Sequence, residues 1–526
     1  MASTAALPSS EPARRAYDSL PYPGYSFRET HPDHLGAVAA LYGLITPGVE
    51  GARILELGCG CGTNLAAIAL SLPAATCVGV DISSRQIEIA TKLAVDLQLS
   101  NLSFHCHDFL DYEPARQSFD YIICHGVFSW VPIAVRERIL SLIRDALSGN
   151  GVAYVSYNTF PAWQDRLVGR EMMLFHLERH PPGSAAGVKD ALDLLRFAAE
   201  ANSGLNAEYE KSLKAVLEPL VEKPDWYVAH EYLEETNEPL WFSAFASIID
   251  AADLQYLGDA RPASSFIDRL PQKLAHAVEH ISWDRIAREQ HVDLVVNRSF
   301  RRSLVCSRRH SLTESPSAEA IRTLSVGCPL VCSDAAGIRF DRTLQRFDNF
   351  RGPAFETAEP LLKHALAQLS ALWPAWVSYT ELEQSLLSLD TDSSWRIQTQ
   401  RELPAQLLNV FAQGGVELHR SVPAFVIRPG EQPTTSPLAR QQARTASYVT
   451  NLRQETVSLG SCDRLLLALF DGSSSTEQLR NALHEMLKSG AIAPSGEHRA
   501  TPAQELAELL LAETLERLCK NALLVA

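Results

Sequence analysis

Two hydrophobic rhythms divide the chain. Between residues 53 and 157, short apolar runs alternate with longer stretches of amphipathic helical character. The runs at 53–57 (RILEL), 76–80 (TCVGV), 102–105, 119–124 (FDYIIC) and 151–157 (GVAYVSY) read as strands. The stretches at about 64–71, 84–97 and 135–147 read as helices. This alternation predicts a parallel sheet covered by helices. Upstream, residues 1–16 read as a floppy tail, and 17–34 (YDSLPYPGYSFRETHPDH) as an ordered lid or pocket wall rather than a helix. A helix at 34–44 follows, with Asp33 as its expected cap.

After Pro161 the rhythm changes. Residues 164–258 read as mostly helical with a break at 180–187, and 259–311 as mixed. A short strand is predicted at 321–327, then a helix from about 359 to 372 with Pro360 in its first turn, where proline costs no hydrogen bond. That helix, residues 373–387 and a strand at 422–427 (VPAFVI) suggest a small module of winged-helix type. Residues 431–444 read as a linker, and 445–526 as a last, mainly helical unit. The expected division is a lid at 1–44, a sheet domain at 45–175, a middle domain at 176–320, a small mixed domain at 321–430 and a C-terminal domain at 431–526.

Composition narrows the function classes. A chain of 526 residues suits two to four domains, and 46% hydrophobic residues suit a folded core. The net charge of −15 weighs against nucleic acid as the main partner, because phosphate binding rests on Lys and Arg. Arg298, Arg301, Arg302, Arg308 and Arg309 form the densest basic cluster and read as a solvated face, with polyanion binding as the alternative. Ten scattered cysteines show no disulfide framework, and Cys59 and Cys61 lack neighbours with metal-ligand spacing, so no metal is expected. No membrane-spanning run or secretory pattern is evident, and a cytoplasmic location is the expectation.

The sharpest local signal is Glu56-Leu57-Gly58-Cys59-Gly60-Cys61-Gly62, between a strand and a helix. Alternate glycines let the backbone turn tightly and approach a ligand. Glu56 could order the loop or meet a cationic amino-acid group through water. Asp81 ends the next strand, where a carboxylate can accept both ribose hydroxyls. Asp108 could accept from an adenine amine, with Phe109 or Ile82 on the ring face. The spacing differs from the GxGxxG of dinucleotide folds. Cys59 and Cys61 read as small residues fitting a tight loop. Strand four ends at His125, which could take a proton from a nucleophile, or else hydrogen-bond the cofactor or hold the loop. Phe128 and Trp130 could wall a transfer path. Tyr157 and Asn158, ending strand five, could orient substrate. Tyr22, Tyr25, His31 and His34 are lid candidates, Tyr25 being able to steer an amine. Trp226, Tyr227, His230, Glu231 and Tyr232 form a second cluster; its acids, with Glu234, Glu235 and Glu238, could face a basic protein or form a solvated helix rim.

The motifs ELGCGCGTN, VGVDIS and HCHDF resemble those of class I S-adenosyl-L-methionine-dependent methyltransferases. The resemblance implies a Rossmann-like, doubly wound seven-stranded sheet, with Gly58 and Gly60 near the methionine part, Asp81 on the ribose and Asp108 with Phe109 at the adenine. It also implies S-adenosyl-L-homocysteine as product. LPYPGYSF, ICHGVFSWVP, YVSYNTFPAW, HEYLEETNEPLWF, NRSFRRSLVC and VTNLRQETVSL are similar to bacterial methyltransferases carrying a methyltransferase regulatory domain. That group includes rickettsial enzymes that methylate lysines of an outer-membrane protein. The resemblance therefore implies protein-lysine methylation, with the C-terminal units recognising a polypeptide, forming a homodimer, or both. Methylation of a small molecule or glycan, and a non-catalytic cofactor-binding role, are the alternatives.

Overall fold

The computed structural model describes residues 14, 17–18, 22–178, 185–261, 267, 270–389, 393–423, 425–492 and 501–525. Seven strands form the central sheet: β1 (Arg53–Leu57), β2 (Thr76–Asp81), β3 (Leu102–Cys106), β4 (Phe119–Cys124), β5 (Leu147–Asn158), β6 (Leu254–Asp259) and β7 (Phe300–Ser307). Their order is β3-β2-β1-β4-β5-β7-β6. The first five are parallel, while β7 runs antiparallel to both β5 and β6. The chain moves outward one way from β1 to β3, then restarts beside β1 with β4. That switch point opens a crevice at the carboxyl ends of β1 and β4, where open α/β sheets bind ligands.

Period-two alternation gives each strand two buried faces. Ile54, Tyr121, Ile123, Val152 and Tyr154 pack into one core. Leu55, Leu57, Ile122, Cys124, Ala153, Val155 and Tyr157 pack into the other. The first core also takes the helix Pro32–Leu41 and runs on into residues 321–418, so the small mixed module shares its core with the sheet domain.

The sheet outgrows its expected boundary at 175. Its last two strands come from stretches read as helical and mixed, because a helical excursion separates β5 from β6 in sequence. Helices Ala162–Leu177, Ala185–Ala201 and Ala207–Val221 pack into a separate apolar cluster with Asp225–Tyr232. The expected break at 180–187 falls mostly outside the described residues.

Other elements differ as well. The first-turn cap of Pro32–Leu41 is His31, whose Nδ1 accepts from the N–H of Asp33; the Asp33 carboxylate instead accepts the backbone N–H groups of Arg420 and Ser421 and pairs with His419. No strand forms at 422–427 among the described residues; the strand lies at Glu417–His419, paired with Ser325–Gly327, which pairs in turn with Trp376–Ser378. The stretch read as a linker contains the helix Pro437–Thr445, capped by Ser436. Nor do the five arginines make a solvated basic face: Arg301 is fully buried against Asp293 and Glu289, Arg298 pairs with Asp293, and Arg308 with Asp250.

Candidate active site

A cavity of about 260 Å³ lies at the switch point. Its floor is the glycine loop. Gly58 and Gly62 adopt φ of +76°, a conformation open to glycine and strained for most residues. A methyl group on Gly58 would lie 2.3 Å from Val127 Cγ2, whereas one on Gly60 would meet nothing within 4 Å. The loop is therefore packed from below and open toward the cavity at Gly60.

Two acids flank it. Asp81 accepts the N–H of Gly60 and of Ser83, each at 2.9 Å. Each carboxylate oxygen keeps a second lone pair for a ligand donor. Burial raises its pKa despite these donors. Glu56 is 4% exposed; Oε1 accepts from Asn64 Nδ2 at 2.7 Å, while Oε2 has no partner. Burial pushes its pKa to about 8, the Asn64 bond opposing and Asp81 adding to the shift. An orphaned buried carboxylate beside an open loop fits a ligand with a cationic group, and Asp81 fits a pair of hydroxyls. Ile82 and Phe109 also line the cavity, positioned for an apolar ring. Asp108 does not line it; its Oδ1 accepts the Leu110 N–H at 3.0 Å, closing a local turn.

His125 stands where β4 ends. Its Nδ1 lies 2.9 Å from the Tyr154 hydroxyl and 3.3 Å from that of Ser156, which itself accepts the Gly126 N–H. The two hydroxyls, each able to donate or accept, anchor the ring through Nδ1. Phe27 covers the ring at 3.9 Å between centroids, and burial depresses its pKa to about 3, with Arg302 adding. The imidazole is neutral and a reluctant proton acceptor.

The structure separates the other candidates. Tyr22, Tyr25 and Trp130 line the cavity, and Tyr22 meets Trp226 in an edge contact at 5.0 Å. Tyr157 does not: one residue out of phase with Ser156, it faces the opposite core, bonds Ser303 and stacks on Phe245. Asn158 is buried against Asn237, and Phe128 is fully buried against Phe245. His31 bonds Ser71, and His34 the carbonyl of Ala260, both away from the cavity. Glu231 is not on a solvated rim but in the cavity wall, beside His230.

Several residues that line or support the site had no distinctive sequence signal. Tyr154 could have been found from strand alternation, since it shares a face with Ser156 below His125. Asn64, which ties Glu56 to the lid through the Phe27 N–H and Thr30, sits in an ordinary helical stretch. Phe300 enters from β7. Among the described residues no cluster of His, Cys, Asp and Glu could hold a metal ion, and no helix is long and apolar enough to cross a membrane.

Sheet order, glycine loop and strand-end acids define a class I methyltransferase. Residues 49–199 match the family described as a methyltransferase domain, 224–307 a predicted methyltransferase regulatory domain, and 431–523 the PKMT C-terminal winged helix domain. The winged-helix match thus falls on the last unit rather than on residues 321–430. An uncharacterized protein of Rickettsia prowazekii, RP789, is 30% identical over 97% of this chain and 93% of its own. A second from that organism, RP028, is 37% identical over 44% of this chain and 92% of its own. The structure of PKMT2 from Rickettsia typhi in complex with AdoHcy superposes with a TM-score of 0.84 at 27% identity, covering 96% of this chain and 100% of that one. The chain belongs to this family of methyltransferases with a regulatory domain and a PKMT winged helix. It is an enzyme that uses S-adenosyl-L-methionine.

Proposed function

We propose that this enzyme methylates lysine side chains of a protein substrate in the bacterial cytoplasm. The carrying observation is the correspondence with PKMT2 along nearly the whole of both chains, C-terminal winged helix included. In this reading the C-terminal units recognise the polypeptide, pair two copies, or both.

Bound S-adenosyl-L-methionine supplies a methyl group activated on a sulfonium. Glu56 would offer its free oxygen to the cationic amino-acid end, directly or through water, with Gly58, Cys59, Gly60 and Gly62 giving close backbone approach. Asp81 would hold the ribose hydroxyls, and Ile82 and Phe109 the adenine faces. His125, neutral and anchored by Tyr154 and Ser156, would orient rather than remove protons. Tyr25 would help align the nucleophile from the lid. Alignment and water exclusion account for much of the rate in such transfers. The weak basicity of His125 favours an amine acceptor over a hydroxyl, which needs stronger proton removal.

The test is incubation of the protein with methyl-labelled S-adenosyl-L-methionine and size-fractionated bacterial lysate. Label in protease-sensitive bands supports the reading. Label confined to a small-molecule or glycan fraction overturns it and favours the other substrate classes.

A further inference from the structure

One wall of the cavity has no part in holding the cofactor as assigned above. It comes from the helix Asp225–Tyr232 and the N-terminal segment. Tyr22 and Trp226 meet edge to face, and Tyr17 stacks on His230 at 4.9 Å. His230 Nδ1 is tied to Glu234 Oε1 at 2.8 Å. Glu231, one residue on, lines the same cavity, and among the described residues its carboxylate has no hydrogen-bond or ion-pair partner. A half-buried carboxylate left without a partner beside aromatic rings is costly unless a cation completes it.

We infer that Glu231, with the ring of Tyr22, seats the cationic head of the amine substrate and takes its proton before methyl transfer. The inference rests on the amine reading of the acceptor. In the step, one N–H bond of the ammonium breaks, its electron pair stays on nitrogen, and the proton forms an O–H bond on Glu231. A cation and a carboxylate become a neutral amine and a neutral acid, the pair a dry site favours. Only the neutral amine has a lone pair with which to attack.

Burial raises the Glu231 pKa to about 7, opposed by His230 and Arg166. The other ionisable groups that feel this carboxylate are the hydroxyls of Tyr17, Tyr22, Tyr227 and Tyr232, all held above their usual range by burial. The carboxylate is lost as pH falls through about 7, so amine binding weakens in that direction.

The test uses the full chain loaded with S-adenosyl-L-homocysteine and titrated with n-butylamine, followed by saturation-transfer NMR, with n-butanol as the uncharged control. The wild type is expected to prefer the amine and to bind it more tightly as pH rises through about 7. Glu231→Gln should weaken amine binding about tenfold or more, the scale of a charge-assisted hydrogen bond, and abolish its pH dependence. Glu231→Asp should restore part of it. Both variants should keep calorimetric S-adenosyl-L-homocysteine affinity, which also shows that they fold. Equal amine binding by Glu231→Gln and wild type, or none by the wild type, overturns the assignment. So does a loss of S-adenosyl-L-homocysteine affinity alone, which would make Glu231 a cofactor ligand. Failure of the protein-lysine reading shows instead in the lysate labelling.

Discussion

Glu56 and Asp81 carry the most specific expectations about binding. Glu56 is protonated below about pH 8 in the free protein, and a cationic ligand group would pull that pKa down. Binding of S-adenosyl-L-homocysteine should therefore release a proton at pH 7, and affinity should rise with pH and level off above about 8. Calorimetry in buffers of different ionisation enthalpy reads the release; Glu56→Gln should abolish it and weaken binding about 10- to 100-fold. Asp81→Ala removes two acceptors of hydroxyl groups and should cost about 100-fold or more in the same titration. Because the His125 pKa is already near 3, His125→Asn should lower the rate without moving the pH profile, whose inflection near 7 belongs to Glu231. The placement of Glu56 and Asp81 at the cavity was legible from the sequence, because it follows from their position at strand ends. Tyr157 stands at the strand end, but its phase turns it to the opposite core, where it bonds Ser303 and stacks on Phe245. Asp108 sits at the expected strand end, yet its carboxylate serves the turn before Leu110.

At the scale of elements, the N-terminal segment is built as a cover. Phe27 N–H bonds Asn64, and Ser26 reaches Thr450. Tyr25 stacks on Tyr448 at 5.7 Å, so the C-terminal unit holds the lid from outside. Gly24 lies so close to the loop that an added methyl would sit 2.1 Å from Thr63 Oγ1 and 2.5 Å from Cys61 Sγ. Gly24→Ala should lift the lid and reduce cofactor affinity about tenfold, since overpacking of this kind costs about 1–3 kcal/mol. Unchanged affinity would show that the lid is not needed for binding. The lid was legible as a segment too aromatic and proline-rich for a helix. Its partners were not, because Tyr448 and Thr450 lie more than four hundred residues away in sequence. The five parallel strands were legible from apolar runs. Strands β6 and β7 were not, since a long helical excursion hides the continuation of the sheet.

The whole molecule is tied together by a buried charge network. Arg28 of the lid pairs with Glu417 at 2.6 Å, and Arg453 pairs with the same carboxylate, while Arg351 pairs with Glu455. Three parts of the chain thus meet at Glu417: the lid, the small mixed module and the C-terminal unit. Burial and these arginines act in opposite senses on Glu417, and the arginines prevail, holding its pKa well below the usual range. Its stabilising contribution is present above the ordinary carboxylate range and is lost as pH falls through it and below. Glu417→Gln leaves Arg453, 2% exposed, with the more distant Glu455 carboxylate at 3.5 Å as its remaining charge partner. Leaving a buried charge wholly uncompensated costs about 3–5 kcal/mol, and the retained Glu455 places this change toward or below the lower end. The denaturation midpoint should fall accordingly, and cofactor affinity with it if the lid is coupled to this network. None of this was visible in the sequence, where Glu417 is one acid among 62 acidic residues.

The central claim, transfer of a methyl group from S-adenosyl-L-methionine to protein lysine, is tested most directly by peptide mass spectrometry of the band labelled in lysate. The account predicts methyl-mass increments on lysine side chains, absent when Asp81→Ala protein replaces the wild type. Increments on a different residue type, or label in lysine that persists with Asp81→Ala, would contradict it.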